Sequence, residues 1–102
     1  MFIAMNRFKV ARGSEEDFES VWRNRRSRLD EVPGFKAFHL LRGPAAEDHT
    51  LYASHTVWES EAAFADWTRS EHFRAAHAQA GSHKALYLGP PQFEGFALVE
   101  GA

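Results

Sequence analysis

Hydrophobic and polar residues alternate along the first ten positions of the chain. Phe2 and Phe8 share one side of this segment, whereas Arg7 lies on the other side. A repeat of two residues is typical of a β-strand with one buried face. The pattern therefore predicts a first strand over residues 2–10, with Asn6 on the same side as the two phenylalanines.

The spacing of apolar residues changes to three and four positions after Gly13. Ser14 and Asp17 resemble a capping box, which marks the start of a helix. The residues that follow at helical spacing are Phe18, Val21, Trp22, Arg25 and Leu29. This stripe predicts a helix that runs to about Asp30.

A hairpin is predicted after the turn signal at Pro33-Gly34. Residues 35–42 and 50–58 are rich in aromatic and β-branched side chains. The segment GPAAEDH separates them and has the composition of a connecting loop. The two segments therefore form a pair of antiparallel strands.

The remaining chain predicts helix, loop and strand in that order. The segment from Ser60 to Gly81 has the pattern of two short helices with a joint near Thr68. Residues 82–91 are expected to form a loop, because a Gly-Pro-Pro sequence at its end stops regular structure. A last strand is predicted over residues 92–100.

The order of elements, β-α-β-β-α-β, predicts an α+β fold in a single domain over residues 1–102. Right-handed crossovers give a four-stranded antiparallel sheet with both helices on one face, the ferredoxin-like arrangement. Two helices cannot cover all the alternating apolar residues, so a monomer would expose a large apolar patch. We therefore expect a homodimer that pairs sheet against sheet. The apolar residues in question are Ile3, Met5, Phe38, Leu40, Tyr52 and Trp58.

Composition narrows the classes of function. Twelve Lys and Arg against fourteen Asp and Glu give the 102 residues a formal charge of -2, which favours neither nucleic acid nor an anionic membrane as a partner. The chain has no cysteine, so disulfides, thiolate metal sites and a cysteine nucleophile are excluded. No signal peptide or membrane span is predicted, and the expected location is the cytoplasm.

Three residues stand at positions where the pattern predicts apolar packing. Asn6 as an inward amide fits either a hydrogen bond to backbone or water, or contact with a ligand. His77 lies on an inward helical stripe among alanines, which fits either a hydrogen-bonded core histidine or an axial ligand of haem iron. Trp67 either fills the core or forms one wall of a flat cavity.

Arg25 and Trp22 are further candidates, on the first predicted helix. A guanidinium on an apolar stripe must pair with an anion, such as a ligand carboxylate, or extend along its stem to solvent. Trp22 suits either the core or a pocket lining. The chain has no GxGxxG, P-loop, GxSxG or HExxH motif, which argues against nucleotide-dependent, triad-based and zinc-protease chemistry.

Four segments of the chain together carry a family resemblance. They are MNRFKV, VPGFKAFHLLRG, YASHTVWESEAAFADW and FRAAHAQAG. In combination they resemble the antibiotic-biosynthesis-monooxygenase-like dimeric α+β barrels and, within them, the IsdG-type haem-degrading monooxygenases. The resemblance extends over nearly the whole chain.

The resemblance implies that haem is both substrate and cofactor. His77 matches the family's iron ligand, and Asn6 matches the residue that hydrogen-bonds toward oxygen on the opposite side of the ring. Trp67 matches the bulky wall that buckles the porphyrin. O₂ and external electrons would then open the ring and release iron. A reductase or a small reductant is implied, because the chain has no flavin or nicotinamide motif.

The resemblance also extends the haem-binding set to Arg25, Trp22 and Phe64. Arg25 and Trp22 match first-helix positions that approach the haem in some relatives. Trp22 replaces a smaller aromatic there, so pocket size and haem tilt are expected to differ. The predicted contact of Arg25 with a haem propionate follows from its place on an apolar stripe.

Two other functions fit the same residues. A cofactor-free monooxygenase acting on a quinol or polyketide-like aromatic would use Asn6, Trp67 and His77 to line its pocket. A haem carrier or sensor would bind haem through His77 without turnover.

Overall fold

Four antiparallel strands and two helices form the framework of the described chain, which comprises residues 1–25, 28–70, 73–74 and 86–102 of a computed structural model. In chain order the elements are β1 (Phe2–Ala11), α1 (Glu15–Arg23), a 3-10 turn (Leu29–Glu31), β2 (Phe35–Ala45), β3 (His49–Trp58), α2 (Glu61–Thr68) and β4 (Gln92–Ala97). The strands are ordered β2-β3-β1-β4, and β1 pairs antiparallel with both β3 and β4. This arrangement confirms the predicted ferredoxin-like α+β fold.

The strands differ from the predicted limits at their ends. β2 continues to Ala45 and β3 begins at His49, so that only residues 46–48 connect them. The Ala46 N–H donates to the His49 carbonyl oxygen at 2.7 Å and closes this turn. β4 ends at Ala97, the residue that pairs with the first residue of β1, rather than at residue 100.

α1 ends at Arg23, and the predicted continuation of this helix to Asp30 was wrong. The backbone N–H and the side-chain amide of Asn24 both donate to the Ser20 carbonyl oxygen, at 3.1 and 2.8 Å. Arg28 then has a left-handed backbone conformation, with φ of 52°. A continuous right-handed helix excludes this conformation.

The two helices begin with different caps. The Ser60 hydroxyl accepts a backbone N–H of the first turn of α2 at 3.1 Å, as expected for a helix that starts there. The predicted capping box at Ser14 and Asp17 was wrong, because Ser14 makes no side-chain cap bond. The Gly13 N–H donates instead to the Glu15 carboxylate at 2.8 Å.

The helices cover one face of the sheet, here called the inner face, and its core falls into two clusters. The α2 cluster consists of buried Phe2, Ala4, Val32 and Trp58 with partly buried Leu29, Phe35, Ala63, Phe64 and Trp67. The α1 cluster consists of buried Phe8, Val10, Phe18 and Tyr52 with partly buried Trp22, Leu40, Leu86 and Tyr87. No helix in the described ranges is long and apolar enough to span a membrane.

The six apolar residues that two helices were not expected to cover together divide between the two faces of the sheet. Ile3 and Met5 lie on the uncovered outer face. The other four pack on the inner face, and they are Phe38, Leu40, Tyr52 and Trp58. The pairing of β2 with β3 has a register shift between Phe35 and Ala37, and this shift changes the alternation of inward and outward side chains along β2.

Two carboxylates of α1 attach this helix to β3. Thr50 Oγ1 donates to Glu15 Oε2 at 2.8 Å, and the Tyr52 hydroxyl donates to Glu19 Oε2 at 2.5 Å. Glu19 also accepts from Arg42 at 3.1 Å. The hydrogen bond from Tyr52 lowers the pKa of Glu19, while burial and then this same bond raise the pKa of Tyr52 to about 12. Charge-assisted bonds therefore hold α1 in place together with apolar packing.

Replacing Tyr52 with Phe tests this attachment. The variant keeps the buried ring but loses the hydroxyl, so the free energy of unfolding at pH 7 should fall by about 1.5 kcal/mol, the lower end for bonds to charged groups, because Glu19 keeps Arg42. The folded pKa of Tyr52 is raised, so wild-type stability should fall as pH rises from the ordinary value of 10.0 to about 12. Urea unfolding across this range should show a shallower fall for Tyr52→Phe, and parallel curves would contradict the assignment.

Candidate functional site

A polar strip separates the two core clusters on the inner face of the sheet. One cross-strand row consists of Leu40, Ser54, Asn6 and Phe93, and the next row consists of Phe38, Thr56, Ala4 and Gly95. At the centre of both rows, β3 and β1 contribute small or polar residues. We refer to Asn6, Ser54 and Thr56 as the polar floor.

The polar floor differs from the other hydroxyl residues on the inner face of β3. Thr50 and Tyr52 donate to carboxylates of α1. Within the described part of the chain, the side chains of Asn6, Ser54 and Thr56 make no hydrogen bond. Ser54 and Thr56 are nevertheless only 5% and 8% exposed. The oxygen atoms of Ser54 and Thr56 are not among the fully buried atoms that lack a partner. A ligand or water on the inner face can therefore reach these hydroxyls and form hydrogen bonds with them.

Trp67 and Phe64 form an aromatic wall toward the β4 side of the polar floor. The Phe64 ring stacks on Phe93 with centres 5.5 Å apart and 12° between the planes. The Trp67 ring centre lies 5.3 Å from that of Trp58, and Phe73 meets Trp67 edge-on at 4.8 Å. Trp67 is only half-buried, so one indole both packs in the α2 cluster and keeps exposed surface.

A second aromatic wall, made by Trp22 and Phe38, lies toward the β2 side. Their rings stack with centres 5.7 Å apart and 13° between the planes. The Arg25 guanidinium carbon lies 4.4 Å from the centre of the Trp22 ring, a cation–π contact. The structure therefore brings Arg25 and Trp22 together, although Arg25 follows the end of α1 instead of lying on the predicted helical stripe. Burial lowers the pKa of Arg25.

Residues 86–91 are the described part of the predicted loop over residues 82–91, and Tyr87 in this part packs beside the second wall. Tyr87 forms an isolated β-bridge with Val10, and its ring stacks on Phe8 at 5.7 Å. Burial raises the pKa of Tyr87, and the nearby charge of Arg25 opposes this shift. The sequence pattern assigned this residue no role.

His77, the predicted iron ligand, lies outside the described residues. The Ser70 hydroxyl accepts from the Phe73 N–H at 3.2 Å, and the Ser70 carbonyl oxygen accepts from the Arg74 N–H at 3.3 Å. These bonds agree with a helical piece that follows the predicted joint near Thr68. The described residues contain no group of three side chains able to hold a metal ion.

Sequence reasoning missed Ser54 and Thr56. The available signal was the alternation of β3, which places both hydroxyls on the same face as the large rings of Tyr52 and Trp58. Small polar residues among buried aromatics are the same kind of exception that identified Asn6.

A separate cleft of about 440 Å³ lies beside α2, between this helix and residues 32–34. Trp67 and Ser70 contribute to its lining. It contains no residue of the polar floor, so the two features are distinct.

This chain is similar to a known protein family and to a known heme oxygenase. The profile of the family described as antibiotic biosynthesis monooxygenase matches residues 1–79. The heme oxygenase (staphylobilin-producing) 1 of Staphylococcus aureus (strain Newman) is 32% identical over 76 residues, which cover 74% of this chain and 70% of that protein.

Solved structures share the fold over almost the whole chain. The heme-degrader MhuD of Mycobacterium tuberculosis, with two hemes bound in its active site, has 30% identity and a TM-score of 0.71, covering 97% of this chain and 96% of that one. SnoaB, a cofactor-independent oxygenase from Streptomyces nogalater, has 25% identity and a TM-score of 0.68, covering 95% and 91%. Proteins that share this fold thus include a haem degrader and an oxygenase without a cofactor.

Proposed function

Because this chain belongs to the antibiotic biosynthesis monooxygenase family and is an oxidoreductase, we propose that it is a haem-degrading monooxygenase of the IsdG type. In this proposal the protein binds haem as substrate and cofactor, opens the porphyrin with O₂ and external electrons, and releases iron. The observation that carries the proposal is the polar floor between two aromatic walls. The similarity to a staphylococcal heme oxygenase and to a mycobacterial heme-degrader supports it.

The chemistry of the site fits haem. The flat rings of Trp22 and Phe64 provide apolar contact area for a planar macrocycle. The polar floor offers an amide and two hydroxyls to a small oxygen-containing ligand. The Arg25 guanidinium lies over the Trp22 ring, with its carbon 4.4 Å from the ring centre. A cation in this position is suited to a charge-assisted bond with the propionate carboxylate of a macrocycle that packs on the same ring.

We assign three principal roles within this proposal. His77 would hold the iron of haem, Asn6 would donate a hydrogen bond to an oxygen-containing ligand, and Trp67 would be the bulky wall that distorts the macrocycle. Phe64, Trp22 and Arg25 bind the macrocycle and its edge. Haem, when bound, supplies the iron that activates O₂.

Assembly and electron supply complete the proposal. We propose that the chain is a single domain that forms a homodimer through the outer sheet face, where Ile3 and Met5 lie beside Val57 and His55. Electrons come from a reductase or small reductant, and we propose the cytoplasm as the location. Nucleic acid and membrane are not partners in this proposal.

A cofactor-free oxygenase is the second candidate function. The specific observation in its favour is the similarity to SnoaB at 25% identity over nearly the whole chain. The polar floor would then bind an oxygen atom of an aromatic substrate. Haem uptake separates the two functions, since O₂ consumption on a quinol by haem-free protein would support this candidate.

Titration of the purified protein with haem tests the iron ligand. The expected result is a histidine-ligated Soret band at about one haem per subunit, abolished in His77→Ala because the ring loses its only proposed protein ligand. The control is His49→Ala, since His49 bonds to Asp48 at 2.7 Å, at the end of β3. An unchanged Soret band in His77→Ala would contradict the assignment.

Turnover with ascorbate and O₂ tests Trp67. Trp67→Ala should bind haem but degrade it roughly tenfold more slowly, because a smaller side chain cannot hold the ring in a reactive geometry. Loss of the Soret band with time measures the rate. Trp67→Phe keeps an aromatic ring against Trp58 and controls for packing in the α2 cluster. Full turnover by Trp67→Ala would rule out the distorting role.

The affinity for haem tests the propionate contact of Arg25. Arg25→Ala should bind haem roughly tenfold more weakly with the fold intact, because one charge-assisted bond is lost. Arg23→Ala is the matched control, since Arg23 is an exposed arginine of the same segment that bonds to Glu19 at 2.8 Å. Equal affinities of wild type and Arg25→Ala would count against the contact.

A further inference from the structure

We propose that Ser54 is a second hydrogen-bond donor of the site, which acts with the Asn6 amide to hold a small oxygen-containing ligand on the sheet side of bound haem. The inference rests on the proposed function. It adds a residue that neither the motif pattern nor the family resemblance brought forward.

The sheet register places the two donors together. Asn6 and Ser54 are direct partners of the antiparallel β1–β3 pair. Side chains at such positions have Cβ atoms about 4.5–5.5 Å apart and point to the same face. The amide and the hydroxyl can therefore both reach one atom that lies above the strands.

The hydroxyl of Ser54 is available for this role. Ser54 is 5% exposed, and within the described part of the chain its side chain makes no hydrogen bond. Thr50, on the same face of the same strand, shows the contrasting case, because its hydroxyl donates to Glu15 at 2.8 Å. The Ser54 oxygen is not among the fully buried side-chain atoms that lack a partner. It therefore keeps some access from the inner face, and its hydroxyl can donate a hydrogen bond to a small ligand held there.

The environment of Asn6 is asymmetric along its cross-strand row. Ser54 lies on its β3 side, whereas Phe93 lies on its β4 side. Of these two neighbours of Asn6, Ser54 can donate a hydrogen bond and Phe93 cannot. A small ligand held above Asn6 would be drawn toward β3, and the part of the macrocycle that it approaches would then depend on Ser54.

Azide binding to the ferric haem complex tests the proposal, because azide accepts hydrogen bonds and its affinity is independent of turnover. Ser54→Ala should weaken azide binding roughly three- to tenfold, the effect expected for one lost hydrogen bond. Ser54→Thr retains the hydroxyl and should bind azide as wild type does. Thr50→Val removes a hydroxyl that is already bonded elsewhere and should leave the affinity unchanged.

A second measurement concerns the products of one reductive turnover. The ratio of ring-opened isomers, measured by mass spectrometry and chromatography, should change in Ser54→Ala and not in Thr50→Val. A change in packing alone would alter stability without changing this ratio.

The outcomes separate this inference from the proposed function. A wild-type protein that takes up no haem would overturn the proposed function and the inference with it. Normal haem uptake with equal azide affinity in wild type and Ser54→Ala would overturn the inference alone. Failure of Ser54→Thr to retain azide affinity would also overturn it, since the loss would then follow side-chain shape and not the hydroxyl.

Discussion

β1 and β3 pair in an antiparallel arrangement along their full length. The pairs extend from Phe2 with Trp58 to Ala11 with His49. This pairing determines which side chains meet on the inner face, and it places small and polar residues between the two aromatic clusters. A slip of one residue would turn all of these side chains to the opposite face. The candidate site therefore depends on the register of two central strands more than on either helix.

β3 uses its inward hydroxyl groups in two ways. At one end, Thr50 and Tyr52 donate to carboxylates of α1 and hold that helix over the sheet. Further along the strand, Ser54 and Thr56 make no such bond within the described residues. Charge-assisted bonds stabilise the first region, and the second keeps its polar groups for other contacts. The division gives the inner face a region bonded to α1 next to a region whose hydroxyls are not bonded to a helix.

The two aromatic walls give this site flat apolar surfaces on either side of the polar floor, a combination that suits a planar ligand able to accept hydrogen bonds. The contact of Arg25 with Trp22 places a cation at one wall. A cation next to an apolar surface favours a planar ligand with an anionic edge, which is the chemistry of the haem that we propose as substrate.

Local patterns of the sequence determined the order of elements, the inward position of Asn6 and the cap of α2 at Ser60. Each of these follows from strand alternation or from a cap within one turn, so no distant residue is needed to predict it. Tertiary structure decided the early end of α1, the inward packing of Phe38 and the free state of the Ser54 hydroxyl. The stripe beyond Arg23 remained compatible with a helix, and only the assembled fold gave Arg28 its left-handed conformation. Whether an inward hydroxyl has a hydrogen-bond partner depends on which side chain of another strand or helix lies within reach of it. The distance between two segments that are far apart in the chain cannot be read from the sequence.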